Sequence, residues 1–348
     1  MKIWIDVLTP KQLLFSEPII EKLSKKHKIL CTSRSYNEVS KLSKIRHFKM
    51  IFVGKHGENK NSKLEKSLER MKKLYPVITR FSPDLTISFC SPEAARISYG
   101  LAIKHIAFCD SPHAEAVMRL TLPLIQKLLV PWIIPKKEFS KYGIDLKNIV
   151  PYRAIDAAIT IKRKPVEKKI FLKDSKKNIL VRIEEEKASY VSNPNKIIPI
   201  IKKIVDEFKE ENILIIGRYS NQIRKIKKIT GNKAKVLGMS FDGKHLLENI
   251  DVFIGSGGTM TAESALMGIP TISYNAVPNF VEQYLVKKKL VVRETNPSKI
   301  NKIIRESLDS NNELGKNRAK RILNQMENPI SKLLDLIQYH DNNSILTK

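Results

Sequence analysis

The densest chemical signal in the chain is GSGGTMTAESALMGIP, residues 255 to 270. It follows a short apolar run, NIDVFI, takes up a helical pattern at about Thr259, and leads into strand-like IPTISY. The first turn of a helix carries unpaired N–H groups and a partial positive charge, which together attract anions. Gly257 and Gly258 would let a diphosphate approach the backbone with no Cβ in the way, and Ser256 and Thr259 add hydroxyl donors. Glu263 lies one turn beyond Thr259 on the same helical face, where a carboxylate can accept from ribose hydroxyls. The bland alternative is a tight turn followed by a solvated glutamate. A glycine pair, a helix start and a carboxylate one turn on favour a nucleotide diphosphate.

Further polar residues fall just past apolar runs. In CDSPHAEA, His113 stands three residues after Asp110 with Glu115 beside it. A histidine near a carboxylate can act as a general base on a hydroxyl. Asp110, His113 and Glu93 are the catalytic candidates, although His113 could equally serve as a structural hydrogen-bonding group. Thr9, Ser91 and His56, the last between two glycines in GKHG, are candidates for binding an acceptor substrate. Arg182 lies near the end of a later apolar run, NILVRI, which Glu184 follows, and Arg218 follows another, NILIIG. The arginines suit a diphosphate by charge-assisted hydrogen bonds, and Glu184 could orient Arg182. Lys187, Ser189 and Tyr190 share the Glu184 loop. No Asp-x-Asp pair, Walker lysine or metal-ligand spacing is visible, so no metal is expected.

These residues need a scaffold that brings strand ends together. Apolar runs of about five to seven residues alternate with helical patterns almost throughout: residues 2–7, 28–33, 49–54, 84–90 and 105–110, with LLVPWII (128–134) as a sixth. After a lysine-rich stretch without sustained period the alternation resumes at 178–183, 212–217, 235–239, 251–255, 271–274 and 290–294. Such runs fit parallel sheets covered on both faces. The expected architecture is α/β with two Rossmann-like domains facing a central cleft. The first domain spans 1–160, the second 161–325, and a C-terminal helix in 326–348 packs back on the first.

The 348 residues carry 63 Lys+Arg against 35 Asp+Glu, a formal charge of +28. An excess of that size draws a protein to polyanions, unless it reflects a lysine-rich genome. No aromatic-basic RNA-binding pattern accompanies it, so no specific nucleic acid is expected. Three scattered cysteines exclude a disulfide framework and suit a reducing compartment. Asp6 sits where a signal peptide would need its apolar core, and the longest apolar stretch, LLVPWIIP, is too short to span a bilayer. The sequence therefore predicts a cytoplasmic protein, with peripheral contact at an anionic membrane face open through its lysines. Insertion of 119–135 competes with a core reading of that segment, and its prolines favour the core.

The segments IWIDVLTPKQLLFSEPII, GKHG, SPEAARISYGLAI, CDSPHA, VRIEEEKASY and GGTMTAESALMGIP together resemble domain-of-unknown-function family 354. That family is itself similar to the GT-B superfamily of UDP-N-acetylglucosamine 2-epimerases and nucleotide-sugar glycosyltransferases. The family pattern has Asn-Pro-Pro-His after the first strand, where this chain has TPKQ. In the superfamily motif a glycine pair precedes a helix whose glutamate stands seven residues before a proline, as Glu263 does before Pro270. The resemblance implies a nucleotide-sugar substrate, UDP-linked, with the diphosphate on the second domain, the acceptor on the first and no cofactor or metal. A glycosyltransferase-like enzyme is the leading expectation. A UDP-sugar 2-epimerase and a non-catalytic polyanion-binding protein are the alternatives.

Overall fold

The computed structural model describes residues 1–35, 37–166, 176–184, 196–238, 243–274 and 279–345. The chain divides into two compact units, Met1–Thr160 with the residues from Met326 onward, and Ile161–Gln325.

The first unit holds β1 (Lys2–Asp6), β2 (Lys28–Ser35), β3 (Ile51–Lys55), β4 (Leu85–Ser88), β5 (Lys104–Phe108), β6 (Lys127–Pro131) and β7 (Ile149–Tyr152). They form one sheet in the order β3-β2-β1-β4-β5-β6-β7, and every pairing is parallel. The apolar runs read from the sequence become six of these strands. The seventh, IVPY, is short and carries Pro151, a poor strand signal. The segment that could have been a membrane insert is core: Leu122, Ile125, Leu128, Leu129 and Val130 are all buried. No helix among the described residues is long and apolar enough to cross a membrane. The C-terminal helix Pro329–Ile345 belongs to this unit and buries Ile330, Leu333 and Ile337. Arg153 N–H donates to Glu327 Oε1 at 2.6 Å, and Glu327 N–H donates back to the Arg153 carbonyl at 3.0 Å.

The second unit holds β8 (Asn178–Arg182), β9 (Asn212–Ile216), β10 (Lys235–Leu237), β11 (Val252–Gly255), β12 (Thr271–Ser273) and β13 (Val292–Arg293). Their order is β10-β9-β8-β11-β12-β13, again all parallel. Helix Ile197–Glu207 shows why the sequence folds this way. Its isoleucines at 197, 200, 201 and 204 recur at helical spacing and all are buried, against Ile179, Val181, Ile213 and Ile215 of the sheet. Burying side chains of this size contributes roughly 1.5–3 kcal/mol each.

His105 on β5 is fully buried, with Nε2 2.9 Å from Ser88 Oγ. Burial pushes its pKa down to about 3, against a small opposing pull from Asp6. The folded protein therefore holds this ring neutral while the unfolded chain protonates it below about pH 6.5. Stability falls as the pH drops from 6.5 toward 3. At pH 4.5 His105 should cost about 2–3 kcal/mol. Urea titrations at pH 7 and 4.5 should show a smaller loss for His105→Gln than for the parent protein. Equal losses would remove His105 as a source of acid lability.

Candidate functional site

In both sheets the first strand lies beside the fourth of its unit, so strand order reverses between β1 and β4 and between β8 and β11. Ligands of open α/β sheets bind beyond the carboxyl ends of the strands at such a switch point. In the second unit that place is occupied by the loop after β11 and the residues after β8.

The loop after β11 runs through Ser256, Gly257 and Gly258 into helix Thr259–Leu266. Gly258 is the N-cap, and no side chain caps this helix. Gly257 adopts φ +90°, and a Cβ there would lie 3.1 Å from Glu282 Cγ. Gly258 faces open space, with no atom within 4 Å of a built Cβ. The loop is braced from behind. Gly257 N–H donates to Thr261 Oγ1 at 3.2 Å and Asn279 Nδ2 donates to the Gly257 carbonyl at 3.0 Å. Glu282 is fully buried and held by both Nε and Nη2 of Arg293. The result is a rigid glycine turn in front of an uncapped helix start.

Arg182 ends β8, and its Nη1 donates to the Ile216 carbonyl at 3.2 Å. Arg218 follows β9 and is anchored by its N–H to Gln222 Oε1 at 2.8 Å. Glu184 is buried and accepts from the Tyr274 hydroxyl at the end of β12. Burial and then the Glu184 charge push the Tyr274 phenol well above its usual range, so it stays a donor. The strand neighbours β9, β8, β11 and β12 thus bring Arg218, Arg182, Glu184, the glycine loop and Tyr274 to one sheet edge. Tyr274 had no sequence signal beyond its place after a strand. Lys187, Ser189 and Tyr190 lie outside the described residues.

Glu263 departs from expectation. It is buried, and its Oε1 accepts from Arg163 Nη1 at 2.9 Å, both side chains being 3% exposed. Arg163 is fixed in turn, its carbonyl accepting from Lys244 Nζ at 2.6 Å. The sequence placed Glu263 on an open helix face because its partner lies 100 residues away, in a stretch with no period of its own.

The first unit gathers a different set. Lys11, in the first turn of helix Pro10–Leu23, forms salt bridges with Asp110 and, at 2.6 Å, with Asp156. Tyr152 donates to Asp156 Oδ1 at 2.6 Å, and Ser111 Oγ donates to Asp110 Oδ1 at 2.8 Å. Burial opposes ionisation of both acids. Lys11 and Ser111 nevertheless hold Asp110 below the usual carboxylate range, whereas burial and the Asp110 charge hold Asp156 above it. The two carboxyls that share Lys11 are therefore pushed in opposite directions. His113 lies next to this pair. Partial burial lowers its pKa, Asp110 pulls it up, and Lys11 lowers it again, so the net effect favours the neutral imidazole. Lys11, Tyr152 and Asp156 were not expected from sequence. The TPKQ departure from the family pattern is where Lys11 enters.

Other first-unit candidates have structural work. Ser91 is fully buried, caps helix Pro92–Gly100 and donates to Asp6 Oδ2 at 2.7 Å. Glu93 accepts from Ser67 Oγ at 2.8 Å and from Arg70, whose Nη2 holds Asp6 at 2.7 Å. Both belong to the hydrogen-bonded network around Asp6 and Arg70, a structural task that the sequence did not show for the acceptor candidate Ser91 and the catalytic candidate Glu93. Thr9 caps its helix, Oγ1 accepting from Gln12 N–H at 3.3 Å. His56 is exposed after β3. Among the described residues no group of three His, Cys, Asp or Glu is placed to hold a metal ion.

The family model described as protein of unknown function DUF354 matches residues 1–341. An uncharacterized protein of Methanocaldococcus jannaschii is 27% identical over 352 residues, covering 98% of this chain and 95% of its own. The fold is that of UDP-GlcNAc 2-epimerase from Neisseria meningitidis, solved bound to UDP-GlcNAc, with a TM-score of 0.73 at 16% identity over 98% of this chain and 100% of that one. The spinosyn rhamnosyltransferase SpnG, solved with thymidine diphosphate, gives a TM-score of 0.63 at 12% identity over 97% and 100%. At these identities the likeness is one of fold, the GT-B-like pair of parallel α/β domains.

Proposed function

The chain belongs to the DUF354 family, and from that footing we propose that it is a glycosyltransferase-like enzyme that uses a UDP-linked sugar. The observation that carries this reading is the uncapped helix start at Gly258, open to solvent at the switch point of the second sheet, with Arg182 and Arg218 on adjoining strands. Backbone N–H groups, the helix dipole and two guanidinium groups suit a diphosphate without a metal. Preorganised donors of this kind stabilise the charge that builds on a departing diphosphate. Solved neighbours of the same fold hold UDP-GlcNAc and thymidine diphosphate, which supports a nucleotide-sugar ligand. In the first unit, His113 with Asp110 is the proposed base for an acceptor hydroxyl.

A UDP-sugar 2-epimerase is the second reading, favoured by the two carboxyls Asp110 and Asp156 gathered on Lys11, since proton removal beside the anomeric carbon needs one group to take a proton and another to return it. Incubation with UDP-GlcNAc in deuterated water separates the two: deuterium at C2 of the sugar supports epimerisation, and transfer to an acceptor without it supports a transferase.

Gly258 provides the test of the site. Its backbone has ordinary φ −87° and its Cβ position is empty, so valine there is compatible with the fold yet stands where the diphosphate must approach. Calorimetric titration should show UDP binding weakened at least tenfold in Gly258→Val with the thermal midpoint unchanged. Equal affinity in the two proteins would remove the diphosphate from this loop.

A further inference from the structure

Helix Lys60–Phe81 of the first unit carries two apolar rows, and its own unit covers one of them. Leu74 and Ile78 are buried with Trp4 and Val53 of the sheet and Ala94 and Ile97 of helix Pro92–Gly100. A second row, Leu64, Leu68, Met71 and Tyr75, recurs at spacings of four, three and four. At about 3.6 residues per turn these four share one face, turned from the buried row by roughly a quarter of the circumference. Met71 leans on the core. Leu64 is 65% exposed, Leu68 55% and Tyr75 55%. Single apolar side chains on a surface need no explanation, but an exposed row along one helix marks a contact face.

The row is the same read from either end. An identical helix running the opposite way sets Leu64 against Tyr75 and Leu68 against Met71, twice each about a two-fold axis. A symmetric contact requires such self-complementarity, because one patch serves both partners. The charges agree with it. A chain with a formal charge of +28 repels its copies, so self-contact needs a face where opposite signs meet. Glu65 and Lys72, both exposed, flank the row on its solvent side. In the antiparallel pairing each Glu65 comes beside Lys72 of the second copy. Glu69 is engaged within the helix by Lys66, at 2.9 Å, and by Lys73. Among the described residues Lys72 makes no ion pair and Glu65 reaches only Lys66, at 3.5 Å.

We propose that a second copy of this chain covers the row. Helix Lys60–Phe81 pairs antiparallel with its counterpart across a two-fold axis midway between Leu68 and Met71, burying Leu64, Leu68 and Tyr75 of both copies. Tyrosine suits such a place, since its ring buries a large area while its hydroxyl can stay wet. The pairing uses no residue of the Gly258 loop or of the Lys11 cluster and does not depend on the nucleotide reading.

Sedimentation equilibrium of the full chain at micromolar concentration should give twice the chain mass. Leu68→Glu puts a carboxylate from each copy into the seam and should give the single-chain mass. Its helix content by circular dichroism should match the parent, because the position is exposed in the folded chain. Glu65→Lys and Lys72→Glu should each weaken association about tenfold, since each sets like charges together twice across the axis. In Glu65→Lys/Lys72→Glu the dissociation constant should return close to the parental value. The two residues lie two turns apart on one helix, beyond the reach of a pairing within the chain, so recovery reports contact between copies. A parent of single-chain mass, or a dimer that Leu68→Glu leaves intact, overturns the proposal and leaves the row to a partner of other chemistry. A doubly exchanged variant that stays as weak as the single ones overturns the antiparallel pairing.

Discussion

Glu263→Ala should unfold the second unit far more easily than the parent. Arg163 and Glu263 face each other at 2.9 Å with almost no solvent on either. Removing the carboxylate takes from the buried guanidinium the counter-charge that Glu263 supplies. Breaking a buried pair from one side typically costs about 3–5 kcal/mol, most of it the desolvation of the partner left behind. A loss of that size would lower the midpoint of a unit of this length by roughly 10 °C. Replacing both residues with apolar ones of similar volume, as in Arg163→Met/Glu263→Leu, should recover much of the loss. Differential scanning calorimetry distinguishes this from the sequence-based expectation of a cleft-facing residue that the fold does not need. A midpoint within 2 °C of the parent would show that Glu263 is held by solvent rather than by Arg163.

Lys11→Met should combine a stability loss with a change in the pH dependence of turnover. Lys11 is the counter-charge of both Asp110 and Asp156. Without it, two carboxyls share a low-dielectric site, and the Asp110 carboxyl rises toward that of Asp156. Lys11 and Asp110 each keep about a fifth of their surface exposed, so the cost is discounted to roughly 2–3 kcal/mol at pH 7. The sign follows from Asp110, whose folded pKa the lysine depresses. That contribution is present above the unfolded carboxylate pKa and is lost as the pH falls through the folded value. The gap between parent and variant is therefore widest near neutrality and narrows in acid, as the carboxyls protonate. Lys11 also lowers the His113 pKa, so the acid limb of the rate profile should move up in pH. A variant with parental stability at pH 7, or with an unmoved acid limb, would separate Lys11 from this cluster.

The sheets were legible because their strands are apolar runs of about five to seven residues, and a parallel strand covered on both faces needs nothing else. IVPY of β7 escaped because proline and length disguise it. The glycine loop was legible because its chemistry is local: turn, helix start and glycine pair lie within a few residues. What escaped was long-range. Lys11 meets Asp110 across 99 residues, and no pattern near TPKQ announces a partner. Ser91 and Glu93 looked like groups offered beyond a strand end, yet they serve Asp6 and Arg70, because a buried arginine drawn from a helix 64 residues after Asp6 needs every acceptor within reach. A polar residue after a strand marks a position. Whether it meets a ligand or a distant charge is settled only by folding.

The most direct test of the nucleotide site is a crystal structure of the protein grown with UDP. The account predicts diphosphate oxygens at about 2.7–3.1 Å from the N–H groups of Gly258 and Thr259, with Arg182 or Arg218 turned toward the same group. A UDP bound with its diphosphate away from this helix start, or crystals that stay free of nucleotide at millimolar UDP, would contradict it.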